Sequence, residues 1–253
     1  MFIFEFNFIT IKVIRLKAMK QRPYRKKKVV QEDFDKLTDY DSRRDMYYFH
    51  RRLKKVLDVI PKDKSIKILD FGGGSGLFSL ELRERGYSNM HLVDASLSQC
   101  RQAREKRLKN VYVGDENYVI RHFEEGTFDF ILMCDVIEHL ERPVNTLLKI
   151  RKVLKLHGLL FITYPNPLWF PILNFLGDIT LKLKGKDNKI HLEKIRKKLG
   201  SNFILKSHEG CMLVSMLPKP ILRFFEYIEA LIPSRIRRKV CILNVAVLEK
   251  NVD

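Results

Sequence analysis

Four cysteines, Cys100, Cys134, Cys211 and Cys241, are scattered through the 253 residues, and no two of them form a Cys-x-x-Cys pair. That spacing excludes a zinc knuckle and a disulfide framework, and leaves buried, reduced thiols of a cytoplasmic protein as the plain reading. An uninterrupted apolar span is also missing at the N-terminus: "MFIFEFNFITIKVIRL" is broken by Glu5 and Lys12, too soon to cross a bilayer. It has neither a basic leader nor a small-residue cleavage site, which argues against a signal peptide. Met19 opens a more ordinary polar stretch, so residues 1–18 read as an upstream extension of a chain that starts there. Internal repeats, low-complexity tracts and a recognisable RNA-binding module are absent as well.

Acidic charge is scarce where basic charge is plentiful. The formal net charge is +18. Residues 1–60 carry +8, residues 61–181 only +1, and residues 182–240 carry +10. A nearly neutral middle is flanked by strongly basic segments. Such flanks attract polyanions: nucleic acid, anionic lipid headgroups or a phosphorylated substrate; a solvated, lysine-rich surface is the bland alternative.

From residue 66 onward short apolar runs alternate with helical patterns, the signature of a parallel sheet wrapped by helices. The runs are 67–71, 90–94, 110–114, 128–134 and 158–164, with helices expected near 76–86, 96–108, 117–125 and 143–155. Pro143 suits a first helical turn, and Gly158 after His157 reads as the stop of that last helix. A helix is expected over 43–59, a short basic helix over 189–200, and strands over 202–208 and 240–250. In 216–239, Ile221, Leu222, Phe224, Phe225, Ile228 and Leu231 form an apolar stripe on a helix, followed by Arg235, Arg237, Arg238 and Lys239.

The first strand runs into "ILDFGGGSG". A dinucleotide fingerprint needs Gly-x-Gly-x-x-Gly, but the third position counted from Gly72 is Leu77, and from Gly74 it is Ser79. A phosphate-binding loop fails too, because no Gly-Lys-Ser/Thr follows. What remains is Asp70 with Gly72, Gly74 and Gly76. A carboxylate there repels phosphate and favours a cationic ligand or amino group. Asp94 ends the second strand and suits a ribose diol; Asp115 ends the third and can accept from an exocyclic amine. All three acids fall at carboxyl ends of adjacent strands, where open α/β sheets bind ligands. Each acid taken singly could equally be a helix cap or a loop residue.

These segments, with "LVDAS" (92–96), "VGDEN" (113–117), "FDFILMCDVIEHLERP" (128–143), "LLKIRKVLKLHGLLFITYPNP" (147–167) and "KIHLEKIRKKLGSNF" (189–203), resemble class I S-adenosylmethionine-dependent methyltransferases. The group includes methyltransferase type 11 and ubiquinone and menaquinone biosynthesis methyltransferases, and the resemblance covers about residues 40–250. It implies a Rossmann-like α/β fold: a seven-stranded, mostly parallel sheet with helices on both faces and an antiparallel last strand. It implies S-adenosyl-L-methionine as cofactor. The Gly72–Gly76 backbone would approach its methionine part and ribose, Asp94 would hold the ribose hydroxyls, Asp115 the adenine amine, and Asp70 would order the loop near the amino end. Cys134 completes the cofactor-facing set. The family's Pro-Gly-Gly turn before the fifth strand is "LHG" (156–158) here.

Asp135, Glu138 and His139 stand at i, i+3 and i+4, so one helical turn would gather them on one face. Glu138 and His139 are the candidate general bases for a hydroxyl acceptor; a divalent metal held by the three is a second reading, and capping of the turn a third. The acceptor is expected from the variable parts, residues 1–60, 165–188 and 212–239; the chain divides into a basic N-terminal extension (1–42), open to disorder, and a methyltransferase domain (43–253) with lid insertions at about 165–188 and 212–239. Trp169, Phe170, Phe175 and Leu176 lie in the first lid, and Phe224, Phe225 and Tyr227 in the second. Apolar surface with a basic fringe suits an interfacial helix on an anionic membrane. The expected acceptor is a small, lipophilic or membrane-associated molecule, O- or C-methylated by a cytoplasmic protein peripheral at the inner membrane face. RNA is the second acceptor reading, and a non-catalytic binding module the third.

Overall fold

A computed structural model describes residues 46–169, 189–214 and 217–252. The N-terminal extension (1–42) and most of the first lid, with Phe170, Phe175 and Leu176, lie outside the described residues. The order of elements is α1 (Met46–Val59), β1 (Ile68–Phe71), α2 (Leu77–Glu84), β2 (Met90–Asp94), α3 (Leu97–Glu105), β3 (Asn110–Val113), α4 (Glu116–His122) and β4 (Phe128–Cys134). There follow α5 (Pro143–Val153), β5 (Leu154–Pro165), α6 (Leu192–Leu199), β6 (Phe203–Cys211), α7 (Lys219–Leu231), α8 (Ser234–Val240) and β7 (Leu243–Lys250).

The seven strands form one sheet in the order β3-β2-β1-β4-β5-β7-β6. Strands β1 to β5 run parallel, and β7 runs antiparallel to both β5 and β6. This is the Rossmann-like sheet expected from the sequence. Strand order reverses at β1, which pairs with β2 on one side and β4 on the other. Such a reversal parts the helices and opens a crevice at the carboxyl ends of the strands.

Both faces are covered, which is why the strands read as continuous apolar runs. Along β4 the side chains alternate: Phe130 and Leu132 join a core with Phe49, Leu53 and Val56 of α1, while Ile131 and Met133 join a core with Leu147 and Ile150 of α5. Phe49, Leu53 and Val56 recur at helical spacing, so α1 buries one stripe, with Phe49 against Phe78 of α2 at a ring-centroid distance of 4.9 Å.

Two boundaries differ from the sequence expectation. The helix before β5 ends at Val153, and residues 154–158 already belong to the strand. Phe128 pairs with Leu154 but Phe130 pairs with Leu159, so Asp129 faces four residues of β5. This bulge puts His157 at φ +60°, and it is packing against β4 rather than helix propensity that starts the strand early. Gly158 is therefore no helix stop; a Cβ there would come within 2.9 Å of the Lys155 carbonyl oxygen. The second lid is two helices, because Pro233 has no N–H to continue α7 and disfavours helical geometry at Ile232.

Candidate functional site

The glycine turn leaves β1 and is shaped by two carboxylates. Asp70 is 1% exposed; its Oδ2 accepts from the Ser79 hydroxyl at 2.7 Å, and its carboxyl group packs under Gly73, where a Cβ would meet it at 2.6 Å. Asp94, from β2, reaches across: its Oδ2 accepts from Gly74 N–H and its Oδ1 from Ser96 N–H, both at 2.8 Å. The second bond is an Asx turn that starts α3, whose first turn Ser96 caps by accepting from Gln99 N–H at 3.2 Å. Gly72 (φ +73°) must be glycine because a Cβ would stand 2.4 Å from a Val136 methyl. Gly76 (φ +82°) needs its bare Cα for a different neighbour, the Leu108 side chain 2.3 Å from a built Cβ. That is the helix–strand packing role which the dinucleotide fingerprint gives to its third glycine.

Between these loops and the end of β4 lies a cavity of about 550 Å³. Asp70, Gly72, Gly74, Asp94, Asp115, Cys134 and His139 line it, as the sequence reading requires; Gly76 and Glu138 do not. Gly76 faces the α3 side of the sheet, and Glu138 is 2% exposed in the turn beneath His139. The helical turn expected to gather Asp135, Glu138 and His139 on one face does not form, because Ile137–His139 is a single 3-10 turn preceded by Asp135 in the left-handed region; Asp135 and His139 face the cavity, and Glu138 is buried away from it. Among the described residues no three His, Cys, Asp or Glu side chains stand where they could share a metal ion.

Asp115 serves as the N-cap of α4, with Oδ1 accepting from Asn117 N–H (2.9 Å) and Tyr118 N–H (3.1 Å), and Oδ2 from the Asn117 side-chain amide (3.0 Å). The cap reading and the ligand reading therefore coexist: an ionised carboxylate has about four acceptor positions. Burial pushes the Cys134 thiol far above its ordinary range, with the Arg52 charge opposing, so it is a protonated, apolar piece of wall.

Arg52, which sequence reasoning passed over, is a principal member of the site. It is 2% exposed, donates to Asp135 Oδ2 at 2.5 Å, and lies over the Tyr48 ring at 4.3 Å. The Tyr48 hydroxyl donates to the same carboxylate at 3.2 Å, and the Thr163 hydroxyl donates to Asp135 Oδ1 at 2.8 Å. Asp135 N–H also points at Thr163, and together these bonds hold Asp135 at φ +55°. A non-glycine residue in that region costs roughly 1–3 kcal/mol and persists where its surroundings over-determine it, commonly at functional sites. Gln99, Asn117, Asn145 and Lys149 also line the cavity, and Lys149 donates to Asn117 Oδ1 at 2.5 Å. These four stand on α3, α4 and α5, the helices that follow β2, β3 and β4 and begin at the crevice edge of the sheet, which is the sequence signal that points to them.

The lining carries six carboxylates (Asp70, Asp94, Asp115, Glu116, Asp135, Glu141) against three permanent cations (Arg52, Arg142, Lys149). In a chain of net charge +18 this is a local inversion of sign. S-adenosylmethionine, with a sulfonium, an ammonium and one carboxylate, fits that balance. Asp94 and Asp115 present carboxylate oxygens to the cavity, and the side-chain-free arc of Gly72, Gly73 and Gly74 presents bare backbone to it.

Comparisons with known proteins agree. A family model described as a methyltransferase domain matches residues 40–207. The mitochondrial ubiquinone biosynthesis O-methyltransferase of Candida albicans is 28% identical over 135 residues, 50% of this chain and 41% of that protein, so the match spans less than half of the relative's length. A structure of the complex between the Haloferax volcanii Trm112 methyltransferase activator and a methyltransferase superposes with a TM-score of 0.65 at 16% identity, over 88% of this chain and 98% of that one. An S-adenosylmethionine-dependent methyltransferase from Mesorhizobium loti gives 0.58 at 16% identity, over 78% and 96%. The likeness to these structures is one of fold. The chain belongs to the methyltransferase domain family, with the class I fold that implies S-adenosyl-L-methionine as methyl donor.

Proposed function

We propose that this chain methylates a small, lipophilic, membrane-associated acceptor at oxygen or carbon. The observation that carries the reading is the sign inversion: an acidic cavity at the carboxyl ends of β1 to β4, set in a basic protein, suits a cationic donor and leaves the apolar, basic segments of the sequence for the acceptor. The name of the Candida albicans relative, an O-methyltransferase of ubiquinone biosynthesis, supports an acceptor of that class.

The sulfonium supplies an electrophilic methyl group and departs as a neutral thioether. The chain supplies position and charge. Asp94 and Asp115 would hold the two ends of the nucleoside, and the Gly72–Gly74 arc would lie against it. Phe71, Phe78, Val136 and Leu140 give the cavity an apolar wall that excludes water from the transfer. For a hydroxyl acceptor, His139 is the base: it lines the cavity, takes the hydroxyl proton as the new C–O bond forms, and is carried on the turn that contains the buried Glu138. For a carbon acceptor the same imidazole removes the proton from the methylated carbon.

The test is incubation of the full chain and methyl-tritiated donor with cell extract. Label in the lipid or small-molecule fraction is expected. Label in RNA would favour the nucleic-acid reading, helped by the +18 charge, and overturn this one. Donor binding without transfer to any fraction would make the chain a binding module.

A further inference from the structure

Strands β6 and β7 are antiparallel neighbours that a turn of about two residues could join. Residues 212–242 stand there instead, with α7 and α8. The insertion leaves and returns at the carboxyl edge of the sheet, since Cys211 and Pro165 both pair with Leu243. This is the edge at which the cavity opens.

α7 is mounted with its two glutamates turned inward. Leu222, Glu226 and Glu229 face the body: Arg51 of α1 bonds Glu229 Oε1 at 2.5 Å and lies 3.4 Å from Glu226, and Glu229 Oε2 accepts from Met212 and Leu213 N–H. Arg52, the next residue on α1, points into the cavity, so α7 is one helix away from it. The opposite side of α7 is apolar and bare. Phe224, Tyr227 and Leu231 are 60%, 65% and 64% exposed, and Ile221 adds to the same face. α8 continues it with exposed Ile236 and Val240 beside exposed Arg235 and Lys239. The mounting is firm: the Asn166 side-chain amide at the end of β5 reaches the carbonyls of Arg238, Lys239 and Cys241, and Trp169 Nε1 donates to Val240 O. An amphipathic helix ordinarily buries its apolar stripe; here Leu222 is buried and Phe225 and Ile228 are half-buried, while Ile221, Phe224, Tyr227 and Leu231 stay exposed, so the apolar surface of α7 extends beyond the side that its ion pairs hold against the body.

We infer that the outward face of α7 and α8 docks on an anionic phospholipid surface and turns the cavity mouth toward it, so that the acceptor enters from the bilayer. This rests on the lipophilic acceptor proposed above. The charge decides the occupant. Residues 219–240, which span α7 and α8, hold six Lys/Arg against two Asp/Glu, and both acids are turned inward to Arg51; the net +4 opposes a second copy of the same face and complements anionic headgroups, while Phe224 and Leu231 offer an RNA no hydrogen bond.

The experiment is co-sedimentation of the full chain with vesicles of pure phosphatidylcholine, and with vesicles containing about one-third phosphatidylglycerol, at low and high salt. Binding to the anionic vesicles at low salt is expected. The variant Phe224→Asp/Leu231→Asp should bind them about tenfold more weakly or worse, with an unchanged circular-dichroism spectrum, donor affinity and oligomeric state. The inference is overturned if the wild-type chain stays in the supernatant, if the variant sediments equally well, or if the variant only splits a dimer. Calorimetry with S-adenosylmethionine on the same samples separates the two claims: no donor binding sinks the proposed function, whatever the vesicles show.

Discussion

Replacing Asp94 by alanine tests the site most directly, because two loops depend on one carboxylate. Asp94 accepts from Gly74 N–H and Ser96 N–H at 2.8 Å each. Hydrogen bonds to a charged group contribute roughly 1.5–3 kcal/mol, and both sites are only partly buried, so the lower figure applies to each. Loss of both leaves the glycine turn and the start of α3 without their shared anchor, a destabilisation of about 3 kcal/mol. For a domain of this size that lowers the melting temperature by roughly 6–12 °C. The donor loses its ribose acceptors at the same time, so its Kd should rise at least about a hundredfold, or 2.7 kcal/mol. Asp94→Asn keeps one acceptor oxygen for two backbone donors and turns an amide N–H₂ toward the other, so it should fall between. Calorimetric titration with S-adenosylmethionine and a thermal melt read the two effects separately. A lower melting temperature with donor affinity within about threefold of wild type would make Asp94 a loop anchor alone and refute its ligand role.

Further outcomes follow from the same geometry. His139→Gln should lower the turnover of a hydroxyl acceptor about a hundredfold or more while donor Kd stays constant, measured by steady-state kinetics and calorimetry; an unchanged turnover would remove His139 as base. His208 bears on acid stability. Burial and the neighbouring Arg238 push its pKa from 6.5 down to about 4, with Arg238 Nη1 at 3.1 Å from its Nδ1 and the Tyr164 hydroxyl at 2.9 Å from its Nε2. The unfolded chain therefore binds this proton first, and stability present above pH 6.5 is lost as pH falls toward 4. Burial and Lys67 lower His91 in the same way, also to about 4. Urea melts between pH 7 and 5, above the main carboxylate range, should show stability falling with pH, and His208→Gln should flatten the slope; a slope identical to wild type would refute the assignment.

Much of the fold was legible because its signals are local. The runs at 67–71, 90–94, 110–114 and 128–134 are strands within a residue of expectation, since a strand buried on both faces must be apolar throughout. Asp70, Asp94 and Asp115 were legible for the same reason: each stands at or just beside the carboxyl end of a strand, and the ends of parallel strands share one edge. The start of β5 was not. Its boundary depends on pairing with β4 across a bulge, and "LKLHG" scores equally well as a helix end.

What sequence alone determines here is which residues share a face: the period of two in β4, the 3.6-residue stripe of α1, the apolar stripe of α7. It also determines that the acids fall at strand ends and the basic charge on the flanks. Only the tertiary structure decides what each face meets. Adjacent Arg51 and Arg52 are indistinguishable in "HRRLKK", yet a 100° step around α1 sends one to Glu229 and the other to Asp135. Gly76 and Gly72 look alike in "GGGSG", yet one backs onto Leu108 and the other onto Val136. The stripe of α7 predicts a buried face by periodicity, yet of its six residues only Leu222 is buried, because the Arg51–Glu229 pair takes the inward side and leaves Ile221, Phe224 and Leu231 exposed. Periodicity fixes angles about a helix axis, whereas the sign of the contact is set by which charges stand across from it once the sheet has brought them together.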